Sequence, residues 1–239
     1  MSKYKLGVLG GMGSFATSVF FERIIAQIEA SKDQEHLDMI ILNHATLPDR
    51  TDLIMNEKKQ LFIEAIKNDI KLFEQAGVAN IAIPCNTSHY FLEDIQRLTT
   101  IPVIHMVRDT VVYIASMIGD NKKVAVLATD GTVSSGVYQK EVESQNLELH
   151  SLAENIQQRV MDIIYSVKSD IAFKSDELDH IIHHLVEEQG CAVVILACTE
   201  LSTVKLTKKS EQYSVDALEI LVQESIIQSG KKIKDRKHE

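Results

Sequence analysis

Apolar and polar positions along this chain switch between two periods, and the whole pattern runs through twice. Residues 5–9 form a short apolar run that reads as a buried strand, and Gly10-Gly11-Met12-Gly13-Ser14 follows it. Ala16, Phe20, Ile24 and Ile28 then recur at the spacing of one helix face. Residues 39–42 predict a second strand. Leu61, Phe62, Ala65, Ile66, Ile70 and Phe73 mark a further helix, with Gly77 near its C-terminal stop. A third strand, Ile81-Ala82-Ile83, closes on Pro84-Cys85-Asn86-Thr87.

The second half repeats the plan. Residues 123–127 lead into Ala128-Thr129-Asp130-Gly131-Thr132 and a helical stretch, and residues 147–152 are strand-like. Leu178, Ile181, Ile182, Leu185 and Val186 form an amphipathic helix ended by Gly190. The run Val193-Val194-Ile195-Leu196 then closes on Ala197-Cys198-Thr199-Glu200. Setting Lys5 on Lys123 matches Val8 to Val126, Leu9 to Leu127, Gly13 to Gly131 and Val19 to Val137. This predicts an internal duplication: two pseudo-symmetric α/β lobes, each a mostly parallel sheet flanked by helices, with a cleft between them. A hinge is expected near Thr100-Ile101-Pro102, before a short Val103-Ile104-His105 strand, because proline restricts the residue preceding it. The expected division is 1–100 plus about 207–239 for one lobe and 101–206 for the other. A final helix over 217–227 would return to the first lobe, and 231–239 reads as a frayed charged tail.

Ligands of open α/β sheets bind beyond the carboxyl ends of the strands. Each half therefore delivers one cysteine, flanked by hydroxyl and amide groups, to such an end. Free cysteines are usually buried and inert, and Cys191, at the start of an apolar strand, fits that description. Cys85 and Cys198 occupy matching places where a strand ends and a helix can begin, and helix amides raise a thiol's reactivity. Arg50, in Leu47-Pro48-Asp49-Arg50-Thr51, is either a solvated partner of Asp49 or a fork for a carboxylate. Lys168, near a helix end, reads on its own as a surface lysine. The glycine loop at 10–13 matches neither a dinucleotide fingerprint nor a Walker loop, so nucleotide binding is not expected, though its amides could hold a carboxylate. His44 and His105 fall near strand ends and could line the cleft. His89 should sit a turn into the following helix, and His183 and His184 on a half-exposed helix face.

Composition narrows the partners. The 239 residues carry 34 acidic and 25 basic side chains, a net charge of −9, which argues against nucleic acid and anionic membranes. Three cysteines without paired spacing exclude a disulfide scaffold, and no zinc-ligand spacing appears, so no metal is expected. No signal-peptide core or membrane-length apolar stretch is seen, so a cytoplasmic protein is expected.

Taken in order, Gly10-Gly11-Met12-Gly13, Pro48-Asp49-Arg50-Thr51, Cys85-Asn86-Thr87, Leu127-Ala128-Thr129-Asp130-Gly131-Thr132 and Ala197-Cys198-Thr199-Glu200 resemble the cofactor-independent aspartate/glutamate racemase family over nearly the whole chain. Gly11-Met12-Gly13 and Cys198-Thr199-Glu200 stand where glutamate racemases of cell-wall synthesis typically carry Asp-Ser-Gly and Cys-Thr-His, so the likeness is to the aspartate branch. The resemblance implies that Cys85 and Cys198 are a paired acid and base. It implies that Arg50 and Lys168 hold carboxylates of a small acidic amino acid. Met12, Asn86, Thr87, Thr132, Thr199 and Glu200 match positions around the substrate. It further implies no cofactor and a homodimer. Some relatives lack one cysteine and show one-sided racemisation or other chemistry such as decarboxylation, whereas this chain keeps both; an isomerase or decarboxylase of a related dicarboxylate is the alternative reading. A carboxylate-binding module without turnover is the remaining alternative, and it has no need of two matched thiols.

Overall fold

Strands that are apolar on both faces need cover on both sides, which parallel sheets flanked by helices provide. The computed structural model, which describes residues 4–234, contains two such sheets. The first has the order β2-β1-β3, from β1 (Tyr4–Gly10), β2 (Met39–Asn43) and β3 (Val78–Ala82). The second has the order β5-β4-β6-β7, from β4 (Lys123–Leu127), β5 (Glu148–His150), β6 (Val193–Leu196) and β7 (Ser214–Asp216). Every pairing is parallel. An isolated parallel bridge sets Val103 beside Ile81 of β3, just as β7 lies beside β6. The two halves thus share one strand order. The expected 103–105 strand is this single bridge, held by Ile81 N donating to Pro102 O and Ile104 N donating to Ile81 O, each 2.9 Å. The strand expected over 147–152 is confined to Glu148–His150.

Helices of the first half are α1 (Ser14–Gln27), α2 (Arg50–Met55), α3 (Lys59–Ala76), α4 (Leu92–Gln96) and α5 (Met106–Ile118). Those of the second are α6 (Asp130–Ser134), α7 (Val137–Ser144), α8 (Glu154–Ser169), α9 (Glu177–His183), α10 (Lys208–Tyr213) and α11 (Ala217–Gln228). The predicted apolar faces are the buried ones: Phe20 and Ile24 of α1, and Phe62, Ile66, Ile70 and Phe73 of α3. Each sheet's last helix crosses to the other sheet. Val107, Val111 and Ile114 of α5 pack with Val124 and Val126 of β4. Leu218, Leu221 and Val222 of α11 pack with Leu6 and Val8 of β1. The crossing welds the halves through shared apolar surface rather than through a linker. No helix among the described residues is long and apolar enough to cross a membrane.

Residues 231–234 are not frayed. Ile28 and Ile233 form an antiparallel bridge, Glu29 N donates to Lys232 O at 2.9 Å, and Ile233 packs against the α1–α11 core. One apolar residue within the charged run is enough to anchor it. Residues 235–239 of the expected tail lie outside the described residues.

The two halves approach closely where α2 meets α6. A Cβ on Gly131 would lie 2.5 Å from Thr51 Oγ1 and 2.8 Å from Thr51 Cα, so only glycine fits there. Gly131→Ala should destabilise the fold by about 1–3 kcal/mol, since backbone must move to relieve overpacking. Thermal unfolding of the variant checks this, and an unchanged midpoint would contradict it.

Candidate active site

Both cysteines open onto one narrow cavity between the sheets' carboxyl ends. Cys85 follows β3 and is rooted in the first half's core with Met12, Leu47, Ile83 and Phe91, 6% exposed. Cys198 follows β6 and is rooted in the second half's core with Leu196 and Leu201, 7% exposed. The sequence allows a helix to begin beyond each thiol. Beyond Cys85 a 3₁₀ turn, Thr87–Phe91, runs directly into α4, whereas beyond Cys198 there is only the 3₁₀ turn Leu201–Thr203.

Met12, Arg50, Asn86, Thr87, Lys168, Thr199 and Glu200 complete the wall, with Asp49, Thr51, Thr129 and Ala197. The sequence pointed to seven of these; Asp49 and Thr51 flank Arg50, and Thr129 opens the loop that carries Thr132. Thr132 stands behind the wall. Its hydroxyl lies 2.8 Å from that of Thr87 and 3.1 Å from that of Thr129, which makes a three-hydroxyl cluster across the two halves.

Donor accounting identifies which groups are free for a ligand. The Asp49 carboxylate accepts from Asp52 N at 2.9 Å and so caps α2, which leaves Arg50 unpaired by it. Arg50 Nη1 donates to Pro48 O at 2.8 Å, and its Nε is buried with no partner. Asn86 Nδ2 is equally buried and unpartnered, while its Oδ1 accepts from Tyr138 Oη at 2.6 Å. Two orphaned donors in one cavity are costly unless something accepts from them. The Lys168 amine lies 5.5 Å from the centre of the Tyr165 ring. Two cations and one amide on a single wall are chemically suited to carboxylate oxygens. The glycine loop contributes less: Gly11 N already donates to Thr17 Oγ1 at 3.0 Å. A Cβ at Gly10 would meet Thr17, and one at Gly11 (φ +91°) the His44 backbone, so both glycines serve close packing.

The second thiol has its own hydrogen-bond acceptor. Cys198 Sγ donates to Glu200 Oε2 at 2.9 Å, and Glu200 is 8% exposed. Burial, then the charge of Glu200 and the hydrogen bond it accepts, hold the Cys198 thiol well above its ordinary range, while Lys168 pulls the other way. Cys198 is therefore a protonated thiol at neutral pH. Burial similarly pushes Cys191 up to about 11, and it lies in the core as expected.

None of the described histidines lines the cavity. His89 is buried behind Cys85, with Nδ1 2.9 Å from Cys85 O and Nε2 accepting from Met106 N at 3.1 Å. That acceptance places the proton on Nδ1, and burial lowers its pKa, so His89 is a neutral strut. His44 pairs with Asp69 at 2.7 Å. His105, pushed down to about 4 chiefly by burial and by His89, lines a separate surface groove. His183 and His184 face Glu187 and Glu188. Among the described residues no cluster of three His, Cys, Asp or Glu side chains could hold a metal ion.

Comparison with known proteins agrees with this geometry. The profile of the Asp/Glu/hydantoin racemase family matches residues 9–224. The chain belongs to that family. As a member, it is 30% identical over 230 residues to the broad-specificity amino-acid racemase RacX of Bacillus subtilis, covering 92% of this chain and 96% of that protein. Among solved structures it resembles Picrophilus torridus aspartate racemase, with a TM-score of 0.80, 27% identity and 96% of each chain covered. An aspartate racemase homologue from Pyrococcus horikoshii shares the fold, with a TM-score of 0.75 at 22% identity over 96% of this chain and 99% of that one. The two-lobed racemase fold thus underlies the cavity between the sheets.

Proposed function

We propose that this protein interconverts the enantiomers of a small acidic amino acid, aspartate first and glutamate second, by proton transfer between two cysteines without a cofactor. The observation that carries the reading is that Cys85 and Cys198, delivered by different sheets, line one cavity. Inverting an α-carbon requires proton removal on one face and delivery on the other. A thiolate on one side takes the Cα proton; the opposing thiol gives its own, and the roles reverse for the other enantiomer. Cys198, held as a thiol on Glu200, is placed as the donor in the direction in which Cys85 acts as the base. When Cys198 must act as base, Glu200 is placed to receive its proton.

Negative charge builds on the α-carboxylate as the carbanion takes on enediolate character. The orphaned Arg50 Nε and Asn86 Nδ2 belong to residues that line that space, and donors strengthened by developing charge favour the transition state. Two cations on the wall, Arg50 and Lys168, suit a substrate with two carboxylates, which favours aspartate. The aspartate racemase of Picrophilus torridus supports that choice, and the broad-specificity relative of Bacillus subtilis makes neutral amino acids the necessary controls.

Arg50→Lys keeps a charge but loses the planar fork, so KM for the dicarboxylate should rise about tenfold. Steady-state kinetics read this, and an unchanged KM would remove Arg50 from substrate binding. The reading as a whole is tested by incubating the protein with L- and D-aspartate, glutamate, alanine and leucine, followed by chiral chromatography. Racemisation of aspartate ahead of the others supports it. Inertness toward aspartate and glutamate in both enantiomers refutes it.

A further inference from the structure

Tyr138, the second residue of α7, belongs to the second half, while the Asn86 it touches belongs to the first. Its ring is 3% exposed and packs with Val126, Val142 and Ala197. Its hydroxyl, buried with it, finds its acceptor across the divide at Asn86 Oδ1, 2.6 Å away. Asn86 is 3% exposed, and its other amide atom, Nδ2, is buried without a partner on the wall that both cysteines share.

An asparagine amide can sit either way round, and the group facing it decides which. A phenol must donate its hydrogen, so it selects the carbonyl oxygen. Burial holds the phenol far above its ordinary pKa, which keeps that hydrogen in place at any working pH. The opposite orientation would strand the phenol's hydrogen and turn a carbonyl oxygen into the cavity, where a carboxylate would be repelled. The hydroxyls of Thr129 and Thr132, which approach Thr87 beside Asn86, come from the same half as Tyr138.

We propose that Tyr138 is a positioning residue: its hydroxyl fixes the Asn86 amide so that Nδ2 faces the substrate's α-carboxylate from one side of the cavity. The assignment rests on the racemase reading. Because charge on that carboxylate grows toward the transition state, the contribution of Tyr138 appears in kcat more than in KM. It reaches the reaction only through Asn86.

The experiment is a double-mutant cycle on the full chain with Tyr138→Phe, Asn86→Ala and their combination, each assayed with both aspartate enantiomers. Tyr138→Phe keeps the ring and its packing, and thermal unfolding confirms the fold. The expected result is a kcat lower by about tenfold in Tyr138→Phe with KM changed less than about twofold, and lower by about a hundredfold in Asn86→Ala. In the combined variant the Tyr138 change should add no further loss, as expected of two groups acting as one unit. Losses that multiply in the combined variant, or wild-type kcat in Tyr138→Phe, overturn the assignment while wild-type turnover leaves the racemase reading standing. A wild-type protein inert toward both enantiomers overturns that reading and takes the assignment down with it.

Discussion

Serine at position 85 or at position 198 should lower racemisation in both directions by about a thousandfold or more, since each direction needs one group to take a proton and another to give one. A hydroxyl is nearly the size of a thiol but far less acidic, so the cavity keeps its shape and loses half its chemistry. Both sites are buried at the rim of a core, Cys85 beside Met12 and Phe91, Cys198 beside Leu196 and Leu201. Unfolding midpoints should therefore stay near wild type. The thiol left in each variant still faces one side of the α-carbon, so each variant should exchange the Cα proton of one enantiomer only. Proton NMR in deuterated buffer with each pure enantiomer reads this. Two-way turnover at wild-type rate in either variant contradicts the paired-thiol account.

Glu200→Gln carries the second large effect, and its two consequences have opposite signs. The carboxylate accepts the Cys198 proton at 2.9 Å, so without it kcat should fall about a hundredfold. The same carboxylate raises the Cys198 pKa by its charge and by the hydrogen bond it accepts, on top of burial. Removing the charge therefore lowers that pKa. The thiol of the variant should react with an alkylating reagent at lower pH than the wild-type thiol does, although the enzyme is slower. A less active enzyme with a more reactive cysteine is not what general disruption of the site produces. Alkylation rates at Cys198, followed by peptide mass spectrometry across pH, supply the check. A profile moved upward, or not at all, would remove Glu200 from this role.

The strands that carry the cysteines were legible because Ile81-Ala82-Ile83 and Val193-Val194-Ile195-Leu196 are apolar on both faces, as strands covered on both sides must be. Helices α3 and α9 were legible by their one-sided stripes. Ser214–Asp216 and the bridge at Val103 were not: a strand of three residues or a single bridge has no period to read. The crossing of α5 and α11 between sheets was half visible, because α11 is apolar nearly all round and so has no single face to assign.

The site divides along similar lines. Residues beside the cysteines could be read from the motifs, and Arg50 from its place after the second strand. Which of their atoms are already bonded could not. Arg50 Nε and Asn86 Nδ2 lack partners while Arg50 Nη1 is taken up by Pro48 O and Asn86 Oδ1 by Tyr138, a residue in none of the motifs. Thr132 shows the reverse case: chosen for the wall, it stands one hydroxyl behind it.

Early-time racemisation in deuterium oxide, started from each pure aspartate enantiomer, bears most directly on two thiols flanking one carbon. Thiols on opposite faces predict product that carries deuterium at Cα from the first turnover, while unconverted substrate keeps its protium. Product that retains the substrate's own proton, or substrate that gains deuterium as fast as product forms, would show a single base serving both faces and contradict the account.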